Sequence, residues 1–293
     1  MHQAGRGTTG PILIGLAMGI LACVSVLQPS APTGRHRVDP VSNAGARVGA
    51  VECFACHDSF EGHWVSSEYH GDCESCHGPG QRHTLTARPM DIRYPSSGDC
   101  MACHEAGHET LIGWTTSAHE RADVLCSDCH DTHGRALHAL RAAPRAERAT
   151  LPHASESTKL CASCHPEVAA SLNLPSHHPV REGMMDCTDC HSPHADRGWA
   201  LGARNDRCTG CHEGQGGPWI YEHAPVAEDC GTCHEPHGAS ATDLLAVTQP
   251  GVCISCHTVA ESGAVHDPFA FATRCTDCHS AVHGSYADPH LMR

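Results

Sequence analysis

The sequence predicts a chain of coil, turns and short α-helices with little or no β-sheet, wrapped around something other than its own side chains. In 293 residues there are 21 Cys and 28 His but only four each of Phe, Trp and Tyr, an imbalance foreign to ordinary globular domains. With so few large side chains, apolar burial at roughly 25 cal/mol per Å² cannot offset an ordering entropy of about 1 to 2 kcal/mol per residue. Pro, Gly and Ser recur throughout, and the alternation that marks strands is absent. The best helical stretches are short, Pro166 to Leu172 and His108 to Arg121.

The cysteines explain the missing core. Cys-x-x-Cys-His occurs ten times. The copies are Cys53, Cys56 and His57; Cys73, Cys76 and His77; Cys100, Cys103 and His104; Cys126, Cys129 and His130; and Cys161, Cys164 and His165. The second five are Cys187, Cys190 and His191; Cys208, Cys211 and His212; Cys230, Cys233 and His234; Cys253, Cys256 and His257; and Cys275, Cys278 and His279. Two thiols three positions apart can each form a thioether to a haem vinyl group, and the following imidazole then reaches the iron. Zinc sites and redox dithiols also use Cys-x-x-Cys, but neither requires histidine after every second cysteine. A disulfide framework would suit an oxidising compartment, yet thioethers leave no thiols for it. The fold class is therefore a multihaem cytochrome c, with ten haem c groups supplying the core in an extended chain.

Eighteen histidines remain outside the motifs. The motifs fall into five pairs, and each pair has a histidine between its two motifs and another shortly after the second. These are His70 and His83, His119 and His133, His177 (or its neighbour His178) and His194, His223 and His237, and His266 and His283. As second axial ligands they would close every iron. A histidine three residues beyond the motif, such as His133, His194 or His237, can hardly reach the far face of its own haem, so it should ligate a neighbouring one. His63, His108, His138, His153 and His290 are expected to be non-ligands, with His63 and His290 as alternatives to His70 and His266. His2 and His36 lie outside the repeat. Trp64, Trp114 and Trp219 each precede a distal candidate by four to six residues, where packing against porphyrin is expected.

Motif pairs begin at 53, 100, 161, 208 and 253, giving five two-haem modules in one unit over 51–293. Residues 32–50 read as a linker. Residues 1–31 read as a targeting segment, with Arg6 ahead of an apolar run from Pro11 to Leu27. Cys23, the one cysteine outside the motifs, sits in a lipobox-like Ile20-Leu21-Ala22-Cys23, so a lipoprotein, a cleaved signal and an uncleaved anchor all stay open. The stretch from Arg135 to Ala149 reads as a solvated insert. A formal charge of -14 leaves no basic face for nucleic acid.

Several segments resemble the MtrA/PioA/DmsE family of decahaem cytochromes: Trp114-Thr-Thr-Ser-Ala-His119, Ser176 to Gly183, Asp186 to His194, Trp219 to Val226, Glu228 to Gly238, and Cys278 to Ser285. The resemblance spans about residues 51–290. It implies a haem wire in the periplasm, associated with the outer membrane. The implied partners are an outer-membrane β-barrel porin-like protein, a periplasmic or inner-membrane quinol-linked cytochrome, and an outer-surface multihaem cytochrome. Function is then electron transfer for extracellular respiration or iron oxidation, with a soluble periplasmic shuttle as the alternative. An enzyme would need an open iron, often held through Cys-x-x-Cys-Lys. The chain's one lysine, Lys159, lies outside the motifs.

Overall fold

The computed structural model of the chain describes residues 45–64, 72–104, 111, 113–133, 140–141, 150–195, 203–257, 266 and 268–292. The chain divides into Met1–Asp39 and Pro40–Arg293, and the fold is that of the second unit. The targeting segment with Cys23, His2, His36, His70, His108, His138 and most of the Arg135 to Ala149 stretch lie outside the described residues, as do the side chains of His63 and Trp64.

Short-range order follows from the motif. The amide of His57, His130, His165, His191, His212, His234, His257 and His279 each donates to the carbonyl of its own leading cysteine, four residues back, at 2.8–3.1 Å. In the other two motifs the same turn lies inside the helices Cys73–His77 and Ser97–His104. One helical turn thus presents two thiols and an imidazole from a single local structure. Described helices run from four residues, as in Ala118–Arg121, to eight, in Ser97–His104. Among the described residues β-structure is a two-residue antiparallel pair, Tyr221–Glu222 with Gly284–Ser285, plus isolated bridges.

Pro166–Ser171 is helical as expected, opened by Pro166 in the first turn and stopped at Leu172. The stretch around His108 to Arg121 is not one helix. It holds a 3-10 turn at Trp114–Thr116 and a separate helix at Ala118–Arg121. Ser117 divides them: its backbone is extended (φ -68, ψ 157) and its hydroxyl accepts from the Glu120 amide at 3.0 Å, so it caps the second helix instead of continuing the first.

Among the described residues the buried apolar set is Trp114, Leu151, Ala154, Ala162, Leu172, Ala239 and Ala241. Three of these, Leu151, Ala154 and Ala162, form a small cluster with Ala169 against it. Seven residues, four of them alanine, are far too few to hold five modules together. Polar ties add local order. The buried Glu74 carboxylate accepts from the amides of Val48, Gly49 and Gly80 at 2.7–3.1 Å, and Arg47 pairs with Asp72 at 2.7 Å, which fastens the approach to the first module onto its second motif.

Candidate functional site

The twenty motif cysteines meet in a fixed pattern. Within each module the two leading cysteines lie close enough to act on each other: Cys53 with Cys73, Cys100 with Cys126, Cys161 with Cys187, Cys208 with Cys230, and Cys253 with Cys275. Between modules the trailing cysteines come within electrostatic reach: Cys76 of Cys103, Cys129 of Cys164, Cys190 of Cys211, and Cys233 of Cys256. Successive motifs are therefore neighbours in space in chain order. The trailing cysteines of the first and last motifs, Cys56 and Cys278, stand at the two ends of this series.

Histidines meet in twos. Among the described residues no three or more His, Cys, Asp or Glu side chains gather as a bare-ion site. Instead nine motif histidines each face one other imidazole with ring centroids 5.8–6.2 Å apart: His57 with His83, His77 with His133, His130 with His194, His165 with His119, His191 with His237, His212 with His178, His234 with His283, His257 with His223, and His279 with His266. Two imidazoles bound through nitrogen at about 2 Å to one metal, with about 1 Å from ring centre to nitrogen, would place their centroids about 6 Å apart. The residues present fit a bis-imidazole haem c.

Backbone carbonyls hold the rings in that attitude. Nδ1 donates to a carbonyl in seven of the paired histidines: His77 to Arg93, His83 to Arg88, His119 to Pro193, His178 to Pro236, His223 to Val282, His234 to Asp243 and His279 to His290, at 2.7–3.0 Å. A protonated Nδ1 leaves the Nε2 lone pair for a metal. Burial also holds His191, His237 and His283 below the ordinary imidazole range, so they stay neutral at pH 7.

One expected ligand is corrected. His178, not His177, faces His212. His177 turns aside, with Nδ1 on the Leu174 carbonyl at 2.6 Å and Nε2 on the Glu182 carboxylate at 3.2 Å, so neither nitrogen is left for a metal. The carbonyls of Pro193, Pro236 and Val282 were not foreseen. Each immediately precedes a paired histidine (His194, His237, His283) and holds another (His119, His178, His223), so the signal was the Pro-His step shared by Ser192-Pro193-His194 and Glu235-Pro236-His237. The Arg135 to Ala149 stretch has a role too: Leu140 bridges His130, and the Arg141 amide donates to the Cys129 carbonyl at 2.8 Å.

A known family model, doubled CXXCH motif, matches residues 177–217 and 223–262. Each matched segment contains a distal-type histidine and the motif histidine it faces, His178 with His212 and His223 with His257. The multiheme cytochrome MtrA of Shewanella baltica (strain OS185) is 32% identical over 277 residues, 81% of this chain and 78% of that one. The chain belongs to the MtrA family. An undecaheme cytochrome from the S-layer of Carboxydothermus ferrireducens is 20% identical over 75% of this chain and 32% of its own, with a TM-score of 0.13. As an MtrA-family protein the chain is a multihaem c-type cytochrome that carries electrons through covalently bound haem c. Among the described residues no helix is long and apolar enough to cross a membrane.

Proposed function

We propose that the chain is a decahaem electron conduit running from the periplasm into the outer membrane, its ten irons closed by histidine on both faces. The observation that carries this is the set of nine facing imidazole pairs, in which every described distal position is filled by a side chain. A haem c, when bound, supplies a one-electron iron couple. What the chain does is fix each site through two cysteines, hold both imidazoles through their Nδ1 carbonyl partners, and so bar oxygen, nitrite or hydroxylamine from the metal. Such a site relays electrons and has no place for a substrate, which favours a carrier over an enzyme.

The pairs obey a rule. The histidine between the two motifs of a module faces the first motif of the next module (His119 to His165, His178 to His212, His223 to His257). The histidine after the second motif faces the second motif of the previous module (His133 to His77, His194 to His130, His237 to His191, His283 to His234). In the first and last of the five modules, His83 and His266 close their own modules' His57 and His279. The same rule assigns His70 to His104.

In this reading residues 1–31 direct export, residues 51–293 form the decahaem unit, and the partners are an outer-membrane β-barrel porin-like protein, a quinol-linked donor cytochrome and an outer-surface multihaem cytochrome. Purification from gently solubilised outer membranes of the native host tests it. A large β-barrel should co-purify in fixed proportion. Recovery of the cytochrome alone from soluble periplasm would make it a shuttle to a reductase instead.

A further inference from the structure

Among the described residues two buried side-chain nitrogens lack an acceptor, Trp114 Nε1 and Trp219 Nε1. A tryptophan N–H can only donate, and leaving one buried and unpaired costs on the order of 1 to 3 kcal/mol. Both indoles occupy the same kind of place. Trp114, 6% exposed, lies edge-on to His194 with ring centroids 6.2 Å apart, and Gly113 beside it abuts Ala195, the residue after His194. Trp219 packs on Gly284, the residue after His283, so closely that a Cβ there would run into the indole. Trp219 and His283 also line one cavity of about 390 Å³, with Ser285 and Tyr286. In each case an indole of one module stands against the later distal histidine of the next.

We propose that these two N–H groups each donate a hydrogen bond to a propionate carboxylate of the adjoining haem, Trp114 at the site of His130 and His194, Trp219 at the site of His234 and His283. The proposal rests on the bis-histidine reading and goes beyond it. A haem brings two carboxylates per site, the only strong acceptors that the site would gain, and burial of such an anion calls for a donor. The module 3–4 junction supplies an internal contrast: there the buried residue is Leu172, preceded by Ser171, whose carbonyl stands where a Cβ of Gly238 would be. Leucine fills the space but donates nothing, so the site of His191 and His237 is left without this bond. A donated proton draws charge from the propionate and weakens its stabilisation of ferric iron. Haems beside Trp114 and Trp219 are thereby raised in potential relative to the same haems without the bond.

The test uses the holoprotein, with ten haems confirmed by mass and all low-spin by absorbance, which checks the bis-histidine reading separately. Trp114→Phe and Trp219→Phe keep an aromatic ring without the N–H. Each should shift a haem carboxylate band in the redox-difference infrared spectrum and lower one midpoint potential, a different one in each variant, while Leu172→Met changes neither. If a variant does not take up ten haems, replacement of that tryptophan alone by benzothienylalanine, isosteric but lacking the N–H, gives the same readout. Carboxylate bands and potentials identical to the wild type in a fully loaded, low-spin protein overturn the proposal.

Discussion

An imidazole binds iron only through an unprotonated nitrogen, and a carbonyl at the other nitrogen decides which one that is. His178 has that carbonyl, from Pro236 at 2.7 Å, and its free edge faces His212. His177, one residue earlier, has both nitrogens engaged, by Leu174 and Glu182. In the holoprotein His178→Ala should therefore convert one low-spin haem to a high-spin form that binds carbon monoxide, and His177→Ala should leave the spectrum low-spin; the reverse pattern, read by absorbance with and without carbon monoxide, would restore His177 as the ligand. Motif residues were fully legible because the thioether chemistry fixes their spacing. The choice between adjacent histidines was not, because it depends on a carbonyl 58 residues away in sequence.

At the scale of elements, each motif makes its own helical turn, and the connecting segments return to hold it. Arg93, Asp243 and His290 each supply the carbonyl that orients a motif histidine 9 to 16 residues earlier. This explains why the loops could not be read as helices or strands: their hydrogen bonds serve histidines rather than a ladder. The short Pro166–Ser171 helix was legible from its proline start. The break at Ser117 was not, since a serine inside a helical pattern becomes a cap only when its hydroxyl finds the amide three residues on. Ser117 is 2% exposed, and the helix it caps carries His119. Ser117→Ala should cost about 0.5 to 2 kcal/mol, seen as a lowered Tm of the holoprotein, with Ser117→Gly costing only about a few tenths. Equal Tm values for wild type and Ser117→Ala would remove the cap from the stability of this module.

At the scale of the molecule, the modules are stitched. Interior pairs join consecutive modules, as in His194 of the third to His130 of the second, so no interior module completes its own ligand set. Pairwise spacing of motifs revealed five modules, but the direction of the stitching needed the structure, because an imidazole three residues past its motif says only that it goes elsewhere. A chain ending at residue 200 keeps six intact motifs yet loses His237, the partner of His191. That truncated protein should hold six haems by mass with one high-spin iron. Six low-spin haems would mean that each module closes its own irons and that the stitching is wrong.

Low-temperature electron paramagnetic resonance of the oxidised, fully loaded protein shows whether every iron is closed by two imidazoles. Six pairs lie within 26° of parallel, and three are crossed at 46–61°. Near-parallel imidazole planes separate the two iron π orbitals more than crossed planes do. The expected spectrum therefore contains only low-spin signals of two kinds, rhombic ones from the near-parallel sites and strongly anisotropic ones from the crossed sites. A high-spin signal amounting to one haem or more per chain would contradict it and place an open iron, and with it a substrate site, in this protein.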